Sequence, residues 1–263
     1  MADLEALLAD FTAECADLDR LVADLDPADW HRDTPAAGWT IAHQIGHLTW
    51  TDRVSVVAAT DTAAFDALVQ AALPRVLTFV DEAAEEEAKI PAPQLLADWR
   101  RDRIALVEAL RAVPAGTKLP WFGPPMSPAS MVTARLMETW AHGQDVADTL
   151  GITREPSARL RHIAHIGVRT RNFAYLTHEK TPPAAEFRIE LTAPDGAVWT
   201  WGPEDAEQRV TGPALDFCLL VTQRRHIDDL GLTVLGTDAR EWLTLAQAFA
   251  GPPGNGRTAG QFA

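Results

Sequence analysis

The sequence predicts a mainly α protein in two parts, a helical bundle over residues 1–181 and a small α+β domain over residues 182–263. Three observations predict this. Apolar residues recur at helical spacing from the start, at Leu4, Leu7, Leu8, Phe11, Leu18, Leu21 and Val22. Breaks at Asp26-Pro27 and across residues 113–128 separate such runs from one another. After Thr181-Pro182-Pro183 the period changes. Phe187-Arg188-Ile189-Glu190-Leu191 alternates apolar and polar, as a half-buried strand does.

In chain order, the first helix covers about residues 3–24. A second starts at Thr40, a residue suited to capping, and runs to about Ala59. Asp61 and Thr62 can cap a third, through Leu68, Val69, Leu73, Leu77 and Val80, which Pro74 should bend or split. Pro91 or Pro93 opens a fourth, with Leu95, Leu96, Trp99, Ile104, Leu106, Val107 and Leu110 on its apolar face. Residues 113–128 hold Pro114, Pro120, Pro124, Pro125 and Pro128, so they form a loop, with Trp121 and Phe122 at its centre. Such a loop either borders a binding site or is tacked down by its own aromatics. Ser130 or a neighbour starts a helix that Gly151 ends, and another is expected over 157–178. In the second part, Pro194-Asp195-Gly196-Ala197 turns the chain into a returning strand at 198–201. Arg209-Val210 adds a short strand, Gly212-Pro213 opens an apolar helix to about Arg225, and 232–235 reads as a strand. A last helix covers 238–249, and the tail GPPGNGRTAGQFA is expected to be disordered.

The composition narrows the function classes. Hydrophobic residues make up 47% and charged residues 23%, ordinary globular usage that argues against global disorder. No apolar run reaches bilayer length, so no membrane partner is expected. The N-terminus, MADLEALLADF, is acidic and amphipathic and lacks the basic start of a signal peptide, which points to a cytoplasmic protein. A formal net charge of -14 without a basic run argues against nucleic acid as a partner. Lys89, Lys118 and Lys180 are the only lysines and alanine is abundant, a bias that points to a GC-rich, actinobacterial genome. Cys15 and Cys218 are far apart and read as small buried hydrophobes, not as a zinc knuckle or a redox pair.

Two constellations carry chemistry. Glu138 and His142 are four residues apart, so on a helix they project from one face, with Asp145 close to the same stripe. Imidazole nitrogen and carboxylate oxygen together suit zinc, iron, manganese or nickel. The bland alternative is a solvated stripe with one hydrogen bond. On the second helix His43 and His47 share a face. One histidine from here would complete a set of two histidines and one carboxylate, which leaves coordination positions open. The bland alternative is a pair of ordinary helix histidines. His162, His165 and Arg169 lie along a further helix and read mainly as a solvated face.

Gly38-Trp39-Thr40-Ile41-Ala42-His43-Gln44-Ile45-Gly46-His47-Leu48, followed by Glu138-Thr139-Trp140-Ala141-His142-Gly143-Gln144-Asp145-Val146, resembles the DinB-like metal-binding bundle of the mycothiol-dependent maleylpyruvate isomerase family. The resemblance covers about residues 1–180. It implies a DinB-like four-helix bundle with His47, Glu138 and His142 as metal ligands, and it leaves His43 out of the ligand set. Residues 212–225 resemble the apolar helix of the family's small, sterol-carrier-like domain, which ends in an arginine that faces the active site. Arg224 matches best, with Arg225 next, but Gln223 stands where the family has glycine.

The resemblance implies a mycothiol-dependent isomerase or S-transferase. A divalent ion, zinc first among the candidates, would hold a low-molecular-weight thiol as thiolate for attack on a small electrophilic substrate. Arg224 would pair with a substrate carboxylate. The chain would act as a monomer or homodimer. Two other readings stay open. One is a hydrolase that uses metal-bound water, with Asp145 or His43 as the base. The other is a non-enzymatic metal- or ligand-binding protein.

Overall fold

The first helix, α1 (Leu4–Val22), begins where the Asp3 carboxylate accepts from the Glu5 N–H. The structure, a computed structural model, describes residues 3–262. Leu7, Leu8, Phe11, Leu18 and Val22 form the buried face of α1, as their spacing predicts. Helix α2 (Ile41–Thr60) starts at Thr40, whose N–H donates to His43 Nδ1 at 3.2 Å. Asp61 accepts from Ala64 N–H and starts α3 (Thr62–Ala72). Pro74 then lies in a 3₁₀ turn, Leu73–Arg75, and the chain bends by 106° into α4 (Phe79–Ala88). Helix α5 (Ala92–Ala112) carries a proline in its first turn. Helix α6 (Pro128–Leu150) is capped by the Ser127 hydroxyl, earlier than Ser130, and Gly151 ends it at φ 68°.

Helices α1, α2, α5 and α6 pack as a four-helix bundle, with α1 against α5 and α6 and α2 against the same two. Helix α4 lies on a further side of α2. The close approach is at Gly46, where a Cβ would sit 2.8 Å from Glu87 Cβ and 3.3 Å from the Ala84 carbonyl oxygen. Because α2 is covered by α4, α5 and α6, its polar residues are buried along with its apolar ones. Gln44, His47, Thr49, Asp52 and Ser55 are all in the interior. Asp52 pairs there with Arg135 of α6, Nε to Oδ1 at 2.9 Å, with side chains 0% and 2% exposed. The proline-rich loop is closed by the bridge between Leu119 and Met126. Its aromatics pack inward: Trp121 stacks on Phe65 at 6.0 Å, and Phe122 reaches Phe65, Phe79 and Trp50.

The chain divides into two compact units, residues 1–153 and 154–263, so the boundary lies before the expected one at 181/182. The reason is in the packing of the next two helices. Helix α7 (Leu160–Arg169) presents Gly167 to Val221, where a Cβ would approach to 2.7 Å. Tyr175 of α8 (Arg171–Thr177) donates to the Asp238 carbonyl at 3.0 Å. The single helix expected over 157–178 is broken at Thr170. The second unit also holds strands β1 (Phe187–Thr192), β2 (Val198–Trp201), β3 (Gln208–Pro213) and β4 (Thr233–Leu235). They form one sheet in the order β2-β1-β3-β4, in which β1 and β3 run parallel and the other pairs antiparallel. Helices α9 (Ala214–Val221) and α10 (Thr237–Leu245) complete it, with Trp242 against Phe187 and Phe217.

Both of these helices stop short of expectation. Helix α9 ends at Val221, before Arg225, and Gln223 just beyond it turns left-handed at φ 59°, a conformation that the glycine the resemblance implies would adopt more readily. The tail is also more engaged than expected. Gly260 N–H donates to the Asp229 carboxylate, and the Arg225 guanidinium lies 3.9 Å over the Phe262 ring. Among the described residues no single helix is long and apolar enough to cross a bilayer.

The contact at Gly46 has a measurable consequence. Gly46→Ala is expected to lower stability by about 1–3 kcal/mol through overpacking between α2 and α4. Urea unfolding of the variant measures it, and an unchanged midpoint would show that α4 yields freely.

Candidate metal centre

Two helices supply the site. His47 comes from α2, and Glu138 and His142 stand one turn apart on α6. One ring nitrogen from each histidine and one Glu138 carboxylate oxygen lie within 4.8 Å of one another. Glu138 Oε2 is 3.5 Å from His47 Nε2 and 3.1 Å from His142 Nε2. Ligands about 2.1 Å from a tetrahedral ion stand about 3.4 Å apart, so these separations match a common small cation. Both histidines are buried, at 7% and 8% exposure, and Glu138 is half-buried.

A chain of hydrogen bonds decides how His142 presents itself. Thr34 Oγ1 donates to the Trp39 carbonyl at 2.7 Å, so it accepts from Gln44 Nε2 at 2.8 Å. That leaves Gln44 Oε1 as the atom facing His142 Nδ1, 2.5 Å away. An amide oxygen only accepts, so Nδ1 carries the proton and Nε2 keeps its lone pair. Nε2 then points at a carboxylate oxygen, itself an acceptor. Two acceptors at 3.1 Å attract only through a positive charge, either a second proton on the ring or a cation. Burial pushes the Glu138 carboxyl up, but His142 and His47 beside it favour its charged form, reverse this and hold it well below the usual carboxylate range. The site therefore offers one anionic oxygen and two imidazole nitrogens, a donor set that fits a zinc-type ion with an open position. His47 Nδ1 is buried and has no hydrogen-bond partner, so only one of the two histidines is oriented by an acceptor behind it.

Trp39 roofs the site. Its ring stacks on His142, centroids 5.8 Å apart at 17°, and lies 5.4 Å from the His47 ring. The indole N–H donates to Asp81 of α4 at 3.0 Å, which holds the ring in place. Trp50 also flanks His47, 6.1 Å between centroids.

His43 is outside the cluster. Its Nδ1 accepts from Thr40 at the helix start and its Nε2 lies 2.8 Å from Glu85 Oε2. It serves as a cap for α2. Asp145 lies further along α6, is 0% exposed and does not join the converging atoms. Arg224 belongs to the second unit, where its Nη1 donates to the Thr222 carbonyl at 2.6 Å. His165, on α7 in that unit, accepts from Trp201 Nε1 at 3.2 Å. Burial, then Arg169, His162 and Arg161, hold its pKa down. Gln44, Thr34 and Trp39 surround the cluster and are not among the residues that spacing singles out. Gln44 had a signal, since it precedes His47 by three and so shares its helix face. Thr34 had none.

A family model described as mycothiol maleylpyruvate isomerase N-terminal domain matches residues 11–147, and these include His47, Glu138 and His142. The chain belongs to that family. Its relatives include uncharacterized proteins from two strains of Mycobacterium tuberculosis, each 59% identical over 98% of this chain and 100% of the relative. The fold is that of the crystal structure of the mycothiol-dependent maleylpyruvate isomerase. The two align with a TM-score of 0.60 and 16% identity, over 88% of this chain and 92% of that one. A histidine-to-alanine mutant of the same isomerase aligns with a TM-score of 0.59. The family's structural likeness thus takes in most of the chain. A second model, wyosine base formation, matches residues 183–235.

The network behind His142 makes a prediction. Gln44→Leu keeps the volume but removes the acceptor, and metal affinity is expected to fall about 10–100-fold. Competition against a chromogenic chelator measures this. An affinity equal to that of the native protein would show that the amide only fills space.

Proposed function

We propose that this chain is a metal-dependent enzyme in which a low-molecular-weight thiol of the mycothiol kind is activated against a small electrophilic substrate, as an isomerase or S-transferase. The observation that carries the proposal is the convergence of His47, Glu138 and His142 on one point between two buried helices, with the His142 lone pair aimed at that point. Family membership and the likeness to a mycothiol-dependent isomerase support the thiol. A divalent ion held there, zinc being best suited to two histidines and a glutamate, would stabilise a thiolate near neutral pH through its charge. Nickel, iron and manganese suit the same set.

The chain's own residues do the rest. Gln44 keeps the proton on the far side of the His142 ring. Trp39 covers the two histidines and limits water around the ligands. The nucleophile is not the protein's. Cys15 and Cys218 are both buried, and burial pushes both thiols up, Cys218 well above the usual thiol range, so neither supplies thiolate at neutral pH. The hydrolase reading is the weaker one. It needs a base, and His43 is engaged at both ring nitrogens while Asp145 has no exposed surface.

The full-length protein is expected to bind about one zinc per chain by elemental analysis, and His142→Ala to lose it. Turnover of an activated alkene should require both the metal and added mycothiol. Turnover that persists after chelation, or that proceeds equally without thiol, would overturn the proposal.

A further inference from the structure

A cavity of about 500 Å³ opens beside the metal centre, between α2 and the bent pair α3–α4. Trp50 forms a wall of both, since its ring also flanks His47. Val54, Leu68, Phe79 and Phe122 extend an apolar, largely aromatic lining. Trp50, Phe79 and Phe122 already pack on one another, so the surface is preformed.

The charges around this lining are one-sided. Arg75 is the one cation that lines it, against Glu82, Glu85 and Glu86. The Arg75 guanidinium is paired through Nη1 with Glu82, which offsets its charge at the cavity. Glu82 also accepts from Thr78 Oγ1 at 2.6 Å, and Glu85 from His43 at 2.8 Å. Lys89 lies 2.8 Å from Glu86 and 3.9 Å from Glu85, so its one charge is shared between two of the three carboxylates. An anion that enters would face more negative than positive charge, whereas an apolar body would meet Trp50, Phe79 and Phe122.

From this geometry we infer that the cavity is the electrophile subsite and that it takes an uncharged substrate with an aromatic or alkyl body, in preference to a carboxylate. The inference rests on the reading of the neighbouring residues as a thiol-activating centre. It assigns specificity to the α3–α4 wall. A substrate held against Trp50 would lie one ring away from His47, next to a thiol at the centre.

The test uses metal-free full-length protein, so it does not depend on metal binding or thiol chemistry, which elemental analysis checks separately. N-phenyl-1-naphthylamine and 8-anilinonaphthalene-1-sulfonate share one apolar body and differ by one negative charge. Fluorescence titration is expected to show the neutral dye binding at least about tenfold more tightly, with the gap narrowing as salt rises. Ala83→Phe or Ala71→Phe, each of which fills the cavity, should abolish binding of the neutral dye while circular dichroism stays unchanged. Glu82→Gln, which removes a carboxylate and releases Arg75, should raise affinity for the sulfonate and leave the neutral dye unaffected. Equal affinity for the two dyes, or neutral-dye binding that survives in both filled variants, would overturn the inference.

Discussion

The face between α2 and α6 is where polar groups are buried against each other, and the centre depends on it. Arg135 and Asp52 form an ion pair with almost no exposure at this interface. Burial pushes the Asp52 carboxyl up, and the Arg135 guanidinium opposes that. Stranding one of these charges would cost about 3–5 kcal/mol, so the two helices have little freedom to slide or rotate past each other. Arg135 precedes Glu138 by one turn, and Asp52 follows His47 by little more than one. The pair that holds the helices in register therefore also holds the three ligand atoms within 4.8 Å.

Burial then gathers ordinary side chains into one cluster. On a solvated surface, Glu138 and His142 would be one more i,i+4 contact worth a few tenths of a kcal/mol. Between α2 and α6 the same pair loses water, gains His47, and has its proton positions dictated by Gln44 and Thr34. Trp39 contributes from outside the helices. It is anchored to α4 through Asp81, so the bent α3–α4 pair takes part in both the roof of the centre and the wall of the neighbouring cavity.

Periodicity made most helices legible, because a one-sided apolar stripe has one structural meaning. It was least informative for α2, where burial on several sides removes the stripe and leaves polar and apolar residues alike in the core. It also joined α7 to α8 and placed both with the bundle. The contact of Gly167 with Val221 decides otherwise, and a contact between residues so distant in the chain leaves no mark in a local pattern.

The sequence by itself determined that Glu138 and His142 share a helix face, and its resemblance to a known family singled out His47 as the histidine from the Gly38–Leu48 segment to join them. Spacing alone did not separate His43 from His47, since both lie on one face. Only the tertiary structure separates them by their contacts: Glu85 on α4 captures His43, and α6 brings Glu138 and His142 to His47. The physical reason is that spacing in a helix sets direction, while the identity of the group met in that direction belongs to the neighbouring helix.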